Sequence, residues 1–157
     1  MDWSEFESRE PEMAVAGTRL LGHDDGVAIG FLATIGDALH LAPVCPIFCD
    51  DAICLSVGAG TPKRRDLERD GRYVLHAFLG PSDEEFQIAG RAVEIVDAES
   101  RARVHRAIRF GSFDSSDPLF RLDIERAMWG YWQNAGQPGT RPVRRFFRAA
   151  GFGGEAA

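Results

Sequence analysis

The sequence predicts a mainly β fold with flanking helices (α+β), an antiparallel sheet closed into a small barrel. Two observations point to it. About six or seven short β-branched or alternating segments recur along 157 residues, a length suited to one core. Tight turns rather than helices join most of them, which favours a closed barrel over a doubly wound sheet. The chain has no internal repeat and no low-complexity segment.

The elements are expected in this order. "EPEMAVAGTRLL" spaces Met13, Ala14, Ala16, Leu20 and Leu21 on one helical face over about 11–21. "VAIGFLATI" is an apolar, β-branched strand, and Gly36–Asp37 supplies hairpin chemistry. "ALHLAPVCPIF" is the return strand, and its Pro43 and Pro46 place it at an edge or a bulge. Asp50–Asp51 turns the chain into "AICLSV", completing a three-stranded meander. After a helix near 62–70 come the strands "RYVLHAFL" and "FQIAGRAVEIV", the latter bent or bulged at Gly90. Asp97 caps a helix whose Val104, Ala107 and Ile108 share a face. "LFRLDIERAMWGYW" alternates Phe120, Leu122 and Ile124 against Arg121, Asp123 and Glu125 as a half-buried strand. "VRRFFRA" is a last strand or short helix, and 151–157 a frayed tail beyond a single domain of 1–150.

Composition excludes several function classes. The formal net charge of −6 opposes general nucleic-acid or anionic-membrane binding. No apolar run approaches the ~20 residues of a membrane span. The acidic N-terminus lacks a signal-peptide pattern, so a cytoplasmic location is the default expectation. Cys45, Cys49 and Cys54 form an odd set with no C-x-x-C pair. Reduced core thiols are the expectation, rather than a zinc site with His40.

"GAGTPKRRDLERDGR" carries the strongest local signal. Thr61 suits an N-cap, Pro62 the first helical position and Gly71 the residue past the end. The first turn then holds Lys63, the only lysine of the chain, with Arg64 and Arg65, while Asp66, Glu68 and Asp70 follow. A helix N-terminus carries about half a positive charge and favours acids there by roughly 0.3–1 kcal/mol each. This order is therefore unfavourable for a solvated helix and favourable for one with an anion over its start, where free N–H groups, Gly58, Gly60 and the cations form a phosphate site. The alternative is three solvated cations in an arginine-rich chain. Neither a Walker sequence nor G-x-G-x-x-G is present.

Beside this stretch stand Leu32-Ala33-Thr34, His40, Pro43-Val44, Thr61-x-Lys63-x-x-Asp66-Leu67, Arg69-Asp70-x-Arg72 and "EEFQIAGRAVEIV", in that order. Together they resemble the FMN-binding split β-barrel proteins of the pyridoxamine 5′-phosphate oxidase-like superfamily, over roughly 12–97. The resemblance implies a six-stranded split barrel, homodimeric, with flavin in a groove between protomers. It implies phosphate contact by Lys63 with help from Thr61 and Arg64, and hydroxyls from Thr34 and Ser56 for the phosphate or ribityl chain. The backbone of Pro43, Val44 and Cys45 would lie against the isoalloxazine ring. Trp129, Tyr131 and Trp132 would cover the ring or pack in a core or interface. His40 would donate to the ring or serve as a structural histidine.

The sequence departs from the pattern at Asp37-Ala38, where Asp-Gly is usual, and at Asp66, where Asn is usual. The second departure sets an extra carboxylate near the expected anion. The basic C-terminal motif of true pyridoxamine phosphate oxidases is not recognisable in "RRFFRAAG". The function implied is a flavin-dependent oxidoreductase transferring hydride or electrons to or from a small substrate, with NAD(P)H as a reductant. The alternatives are a reductase using the deazaflavin coenzyme F(420), a non-catalytic flavin- or haem-binding protein, and a cofactor-free dimer.

Overall fold

A computed structural model describes residues 1–22, 27–111 and 113–150. The tail expected at 151–157 lies outside the described residues. Helices α1 (Trp3–Arg9) and α2 (Pro11–Leu20) precede strands β1 (Gly30–Ile35), β2 (Leu39–Val44), β3 (Ile47–Cys49) and β4 (Ala52–Ser56). Helix α3 (Pro62–Arg69), β5 (Arg72–Ala77), β6 (Glu85–Glu94), α4 (Ala98–Ala107), β7 (Leu119–Gln133) and β8 (Arg141–Arg148) complete the chain.

All eight strands join one sheet in the order β2-β1-β5-β6-β7-β4-β3, with β8 also pairing β7. Every pairing is antiparallel. The count exceeds the six expected. "ALHLAPVCPIF" is two strands rather than one, because Cys45 and Pro46 break it, and β2 and β3 occupy opposite ends of the sheet order. The expected meander is thus corrected: β4 pairs β3 and β7, not the β1–β2 hairpin. The eighth strand is β8, which settles "VRRFFRA" as strand.

The two-residue link dictates the shape. Laid flat, six strand spacings of ~4.8 Å would separate β2 from β3 by about 29 Å. Three Cα steps from Val44 to Ile47 reach at most ~11 Å. The sheet must curl until its two ends meet, which makes it a split barrel.

The inner face of the curl is the main core. Leu32, Leu75, Ile88, Phe86, Leu122 and Ile124 point inward from successive strands. Helix α2 presents Met13, Ala14 and Leu20 to them, as its spacing predicts, and Gly17 lets the Phe86 ring lie against the helix. Helix α1 was not foreseen. Its signal was Trp3 and Phe6, one turn apart behind an Asp2 that accepts from Glu5 N at 2.9 Å. Both aromatics are buried, and Trp3 packs edge-on against Phe48 and Phe86. The bend expected at Gly90 is a bulge between Ala89 and Gly90. A Cβ there would run into the Asp123 carbonyl. Under α4, Val104 joins Ile47, Cys49, Cys54 and Leu119 in a second, smaller cluster. Burial pushes the Cys54 thiol up to about 12, as befits a core residue.

Candidate cofactor site

Helix α3 carries the site, and its ends are where the sequence places them. Thr61 is the N-cap and Gly71, at φ +75°, follows the Asp70 C-cap. The Thr61 hydroxyl does not cap the helix, however. It donates to the Gly58 carbonyl at 2.9 Å, so the first-turn N–H groups receive no side-chain cap. No acid stands in that first turn.

The three cations behave differently. Arg64 is engaged, donating to Glu68 at 2.7 Å and to the Ala59 carbonyl at 3.3 Å. Lys63, half-buried, and Arg65, exposed, have no hydrogen-bond or ion-pair partner among the described residues. An uncapped helix start beside an unpaired lysine suits a phosphate group, whose charge and acceptor oxygens would meet both needs.

Asp66, the carboxylate expected near the anion, is engaged within the protein. It is 6% exposed and faces the barrel, away from solvent. Its Oδ2 accepts from the Thr34 hydroxyl at 2.7 Å and meets His40 Nδ1 at 2.6 Å. Thr34 and His40 are directly opposed on β1 and β2, so one carboxylate fastens α3 across the end of the hairpin. Burial pushes the Asp66 carboxyl up, but the hydrogen bonds from Thr34 and His40 and the positive charge at His40 and Arg69 outweigh it. The group is held below the usual carboxylate range. Gly36 belongs to the same arrangement, because a Cβ there would overlap the Asp66 carboxylate. Asp66 and its neighbour Leu67 are the two buried residues of α3.

Of the other expected residues, Pro43 and Val44 lie at the far end of the β1–β2 hairpin from Thr34 and His40. Ser56 ends β4, half-buried and opposite Leu119, five residues before Thr61. Val44 ends β2 on the inner face against the core, and Pro43 points outward opposite Phe31. Ile47, just past Val44, pairs with Cys54, two residues before Ser56, which draws Pro43, Val44 and Ser56 into one neighbourhood. Thr34 is the exception. At 2% exposed, with its hydroxyl donated to Asp66, it is placed to support α3 rather than to present a hydroxyl to a ligand.

The aromatic cluster is divided by strand alternation. Trp129 and Tyr131 pack at a tilt, 4.6 Å between centroids, on one face of β7, where Trp129 also donates to Glu84 at 2.8 Å. Trp132 points to the other face and is 42% exposed. Among the described residues no group of three or more His, Cys, Asp or Glu is arranged to hold a metal. No described helix is long and apolar enough to cross a membrane.

The outer face of β1, β2 and β5 is strongly apolar. Leu39 is 80% and Leu41 70% exposed, and the Phe31 and Phe78 rings meet at a tilt, 4.8 Å between centroids. A groove of about 320 Å³ adjoins it, lined by Ala33, Val74 and Ala89 together with the charged Arg72, Glu125 and Arg126.

Among solved structures, the chain is similar to a heme binding protein from Mycobacterium smegmatis (19% identity, TM-score 0.58). The match covers 83% of this chain and 57% of that one, so the chain spans little over half of that relative. It is similar to a putative pyridoxamine 5′-phosphate oxidase from Listeria innocua at 17% identity and TM-score 0.55, over 72% of this chain and 95% of that one. It is also similar to an FAD binding protein from Mycobacterium smegmatis at 16% identity and TM-score 0.53, over 83% and 96%. No family model matches the sequence, and no curated protein does. These likenesses show the fold, a split barrel.

Proposed function

We propose that the protein is a flavin-dependent oxidoreductase. It binds FMN through its phosphate at the start of α3, in a homodimer, and acts on a small substrate with NAD(P)H as a reductant. The observation that carries this reading is the start of α3, uncapped and free of acids, with Lys63 unpaired among the described residues. Lys63 supplies the charge, Thr61 and the first-turn N–H groups supply donors, and Arg64 closes the side toward Ala59. In this reading the ring system and ribityl chain would run past Ser56, Pro43 and Val44. Thr34 acts through Asp66, by fixing the helix. When bound, the flavin would supply the hydride or electron transfer, and the protein's part is binding and orientation.

The dimer is supported by the apolar outer face, where Leu39 and Leu41 stand exposed. Its groove, lined in part by Arg72 and Arg126, would lie between protomers. The likeness to a flavin-binding and a heme-binding structure supports a cofactor in this fold without choosing between them.

The test is the absorption spectrum of the purified protein, with mass spectrometry of what denaturation releases, followed by FMN titration. A flavin spectrum and saturable FMN binding are expected. Release of deazaflavin F(420) or of haem would move the assignment to a reductase using that deazaflavin or to a haem-binding protein. A colourless protein that fails to take up FMN would overturn the reading.

A further inference from the structure

We propose that the outer face of the sheet holds a separate binding site, for an organic carboxylate with an apolar, aliphatic body. Arg126 and Arg148 receive the carboxylate, and the groove over β1, β5 and β6 receives the body. The site shares no residue with the phosphate contact at α3 and stands or falls without it.

The strand registers draw one line across the sheet. Leu41 opposes Ala33, Ala33 opposes Val74, Val74 opposes Ala89, Ala89 opposes Arg126, and Arg126 opposes Arg148. The neighbours Leu32, Leu75, Ile88, Ala127 and Phe147 pack in or against the core, and Leu41 is exposed, so the line points outward. It is apolar over four strands and ends in two cations side by side. Directly opposed residues set their Cβ atoms about 4.5–5.5 Å apart, where like charges repel. Other outward arginines each have a carboxylate. Arg72 donates to Asp70 at 2.8 Å, Arg121 to Asp123 at 2.8 Å and Arg144 to Glu85 at 3.4 Å, while Arg91 lies 3.8 Å from Glu125. Arg126 and Arg148, both exposed, have no such partner among the described residues. A carboxylate held between the two guanidinium forks would cancel the repulsion and use their donors.

The groove supplies the other half of the site. Ala33, Val74, Ala89 and Arg126, four consecutive members of the line, border its 320 Å³, and Ile35 and Leu39 extend the aliphatic wall. Its remaining charges are already matched, Arg72 by Asp70 and Glu125 by Arg91. The charge left over beside the groove is therefore positive, and it belongs to Arg126 and Arg148. An apolar body laid along Ala89, Val74 and Ala33 leaves water as its head reaches the two arginines, so one molecule answers both features. In the dimer proposed above the groove lies between protomers, where the bound body would be shielded further from water.

Isothermal titration of the full chain with octanoate, octan-1-ol and acetate separates head from body. Octanoate should bind saturably, and the alcohol and acetate, each lacking one half of the ligand, about 10-fold more weakly or less. Arg126→Gln and Arg148→Gln should each weaken octanoate about 10-fold, the loss of a charge-assisted hydrogen bond. Both side chains are exposed, so the thermal midpoint should hardly move. Octanoate that fails to bind the wild type would overturn the proposal, as would octan-1-ol or the two variants matching its affinity. Sedimentation that shows a wild-type dimer broken by both variants, with octanoate uptake unchanged, would give the arginines to a carboxylate of the partner copy and overturn it too. FMN affinity should be the same in both variants, which keeps a failure here distinct from a failure at α3.

Discussion

His40 Nδ1 lies 2.6 Å from Asp66 Oδ2, and this contact, bridging 26 residues of chain, pins α3 to the end of the β1–β2 hairpin. Asp66→Ala would leave both the Thr34 hydroxyl and His40 without their partner. A loss of about 1–3 kcal/mol is expected for buried polar groups left unmade, read by urea unfolding at pH 7. The pH dependence has a definite sign. The folded carboxyl is held below its ordinary value, so its stabilising contribution is present above the unfolded value of ~3.9 and lost as pH falls through the lower folded one. The stability gap between wild type and Asp66→Ala should narrow below about pH 4. A gap that persists unchanged at pH 2.5 would show that the carboxylate charge is not its source.

Gly36 offers a second handle on the same contact. A methyl group there would overlap the Asp66 carboxylate, while His40 Cε1 sits 3.3 Å from the same point. Gly36→Ala should cost about 1–3 kcal/mol, as overpacking does. In an Asp66→Ala background the obstruction is gone, and most of that cost should disappear. Additive losses in the double-mutant cycle would count against the two residues sharing one space.

Lys63→Ala separates binding from folding. The residue is half-buried and unpaired among the described residues, so the thermal midpoint should move little. FMN affinity should fall about 10-fold or more, the ~1.5–3 kcal/mol of a charge-assisted hydrogen bond. Isothermal titration of wild type and variant gives the comparison, and equal affinities would remove Lys63 from the phosphate site.

Leu41→Glu addresses the outer sheet face. With Leu41 70% exposed, a glutamate there should be neutral in a monomer and severely unfavourable in a dimer buried across this face. Sedimentation equilibrium is expected to show a wild-type dimer and a monomeric variant. A wild-type monomer at high micromolar concentration would end the proposal.

Much of the fold was legible because its signals are local. The Thr61-Pro62 start and Gly71 stop of α3, the Asp97 cap, the Gly90 bulge and the alternation along β7 each depend on a few neighbouring residues. The ordered motifs from Leu32 to Arg72 supplied the barrel that locality leaves open. What was missed is long-range. Nothing near Pro46 announces that β3 pairs at the far end of the sheet from β2, since only the partners of each strand settle that. Asp66 was read as a charge near the anion because it stands where the family pattern usually has Asn. Its true partners, Thr34 and His40, are 32 and 26 residues away. Trp129, Tyr131 and Trp132 look like one cluster in sequence, but a strand turns the third to the other side.

The link from Val44 through Cys45 and Pro46 to Ile47 has a consequence for self-association. It holds the two end strands of the sheet at one seam, each blunted by a proline that offers no N–H: Pro43 within β2 and Pro46 just ahead of β3. Exposed strand edges are templates on which a second chain can add, and here both are drawn together and partly stripped of donors. The seam is therefore expected to guard against edge-to-edge aggregation. Lengthening it with a flexible glycine insert should raise fibril formation at concentrations where the native chain stays clear.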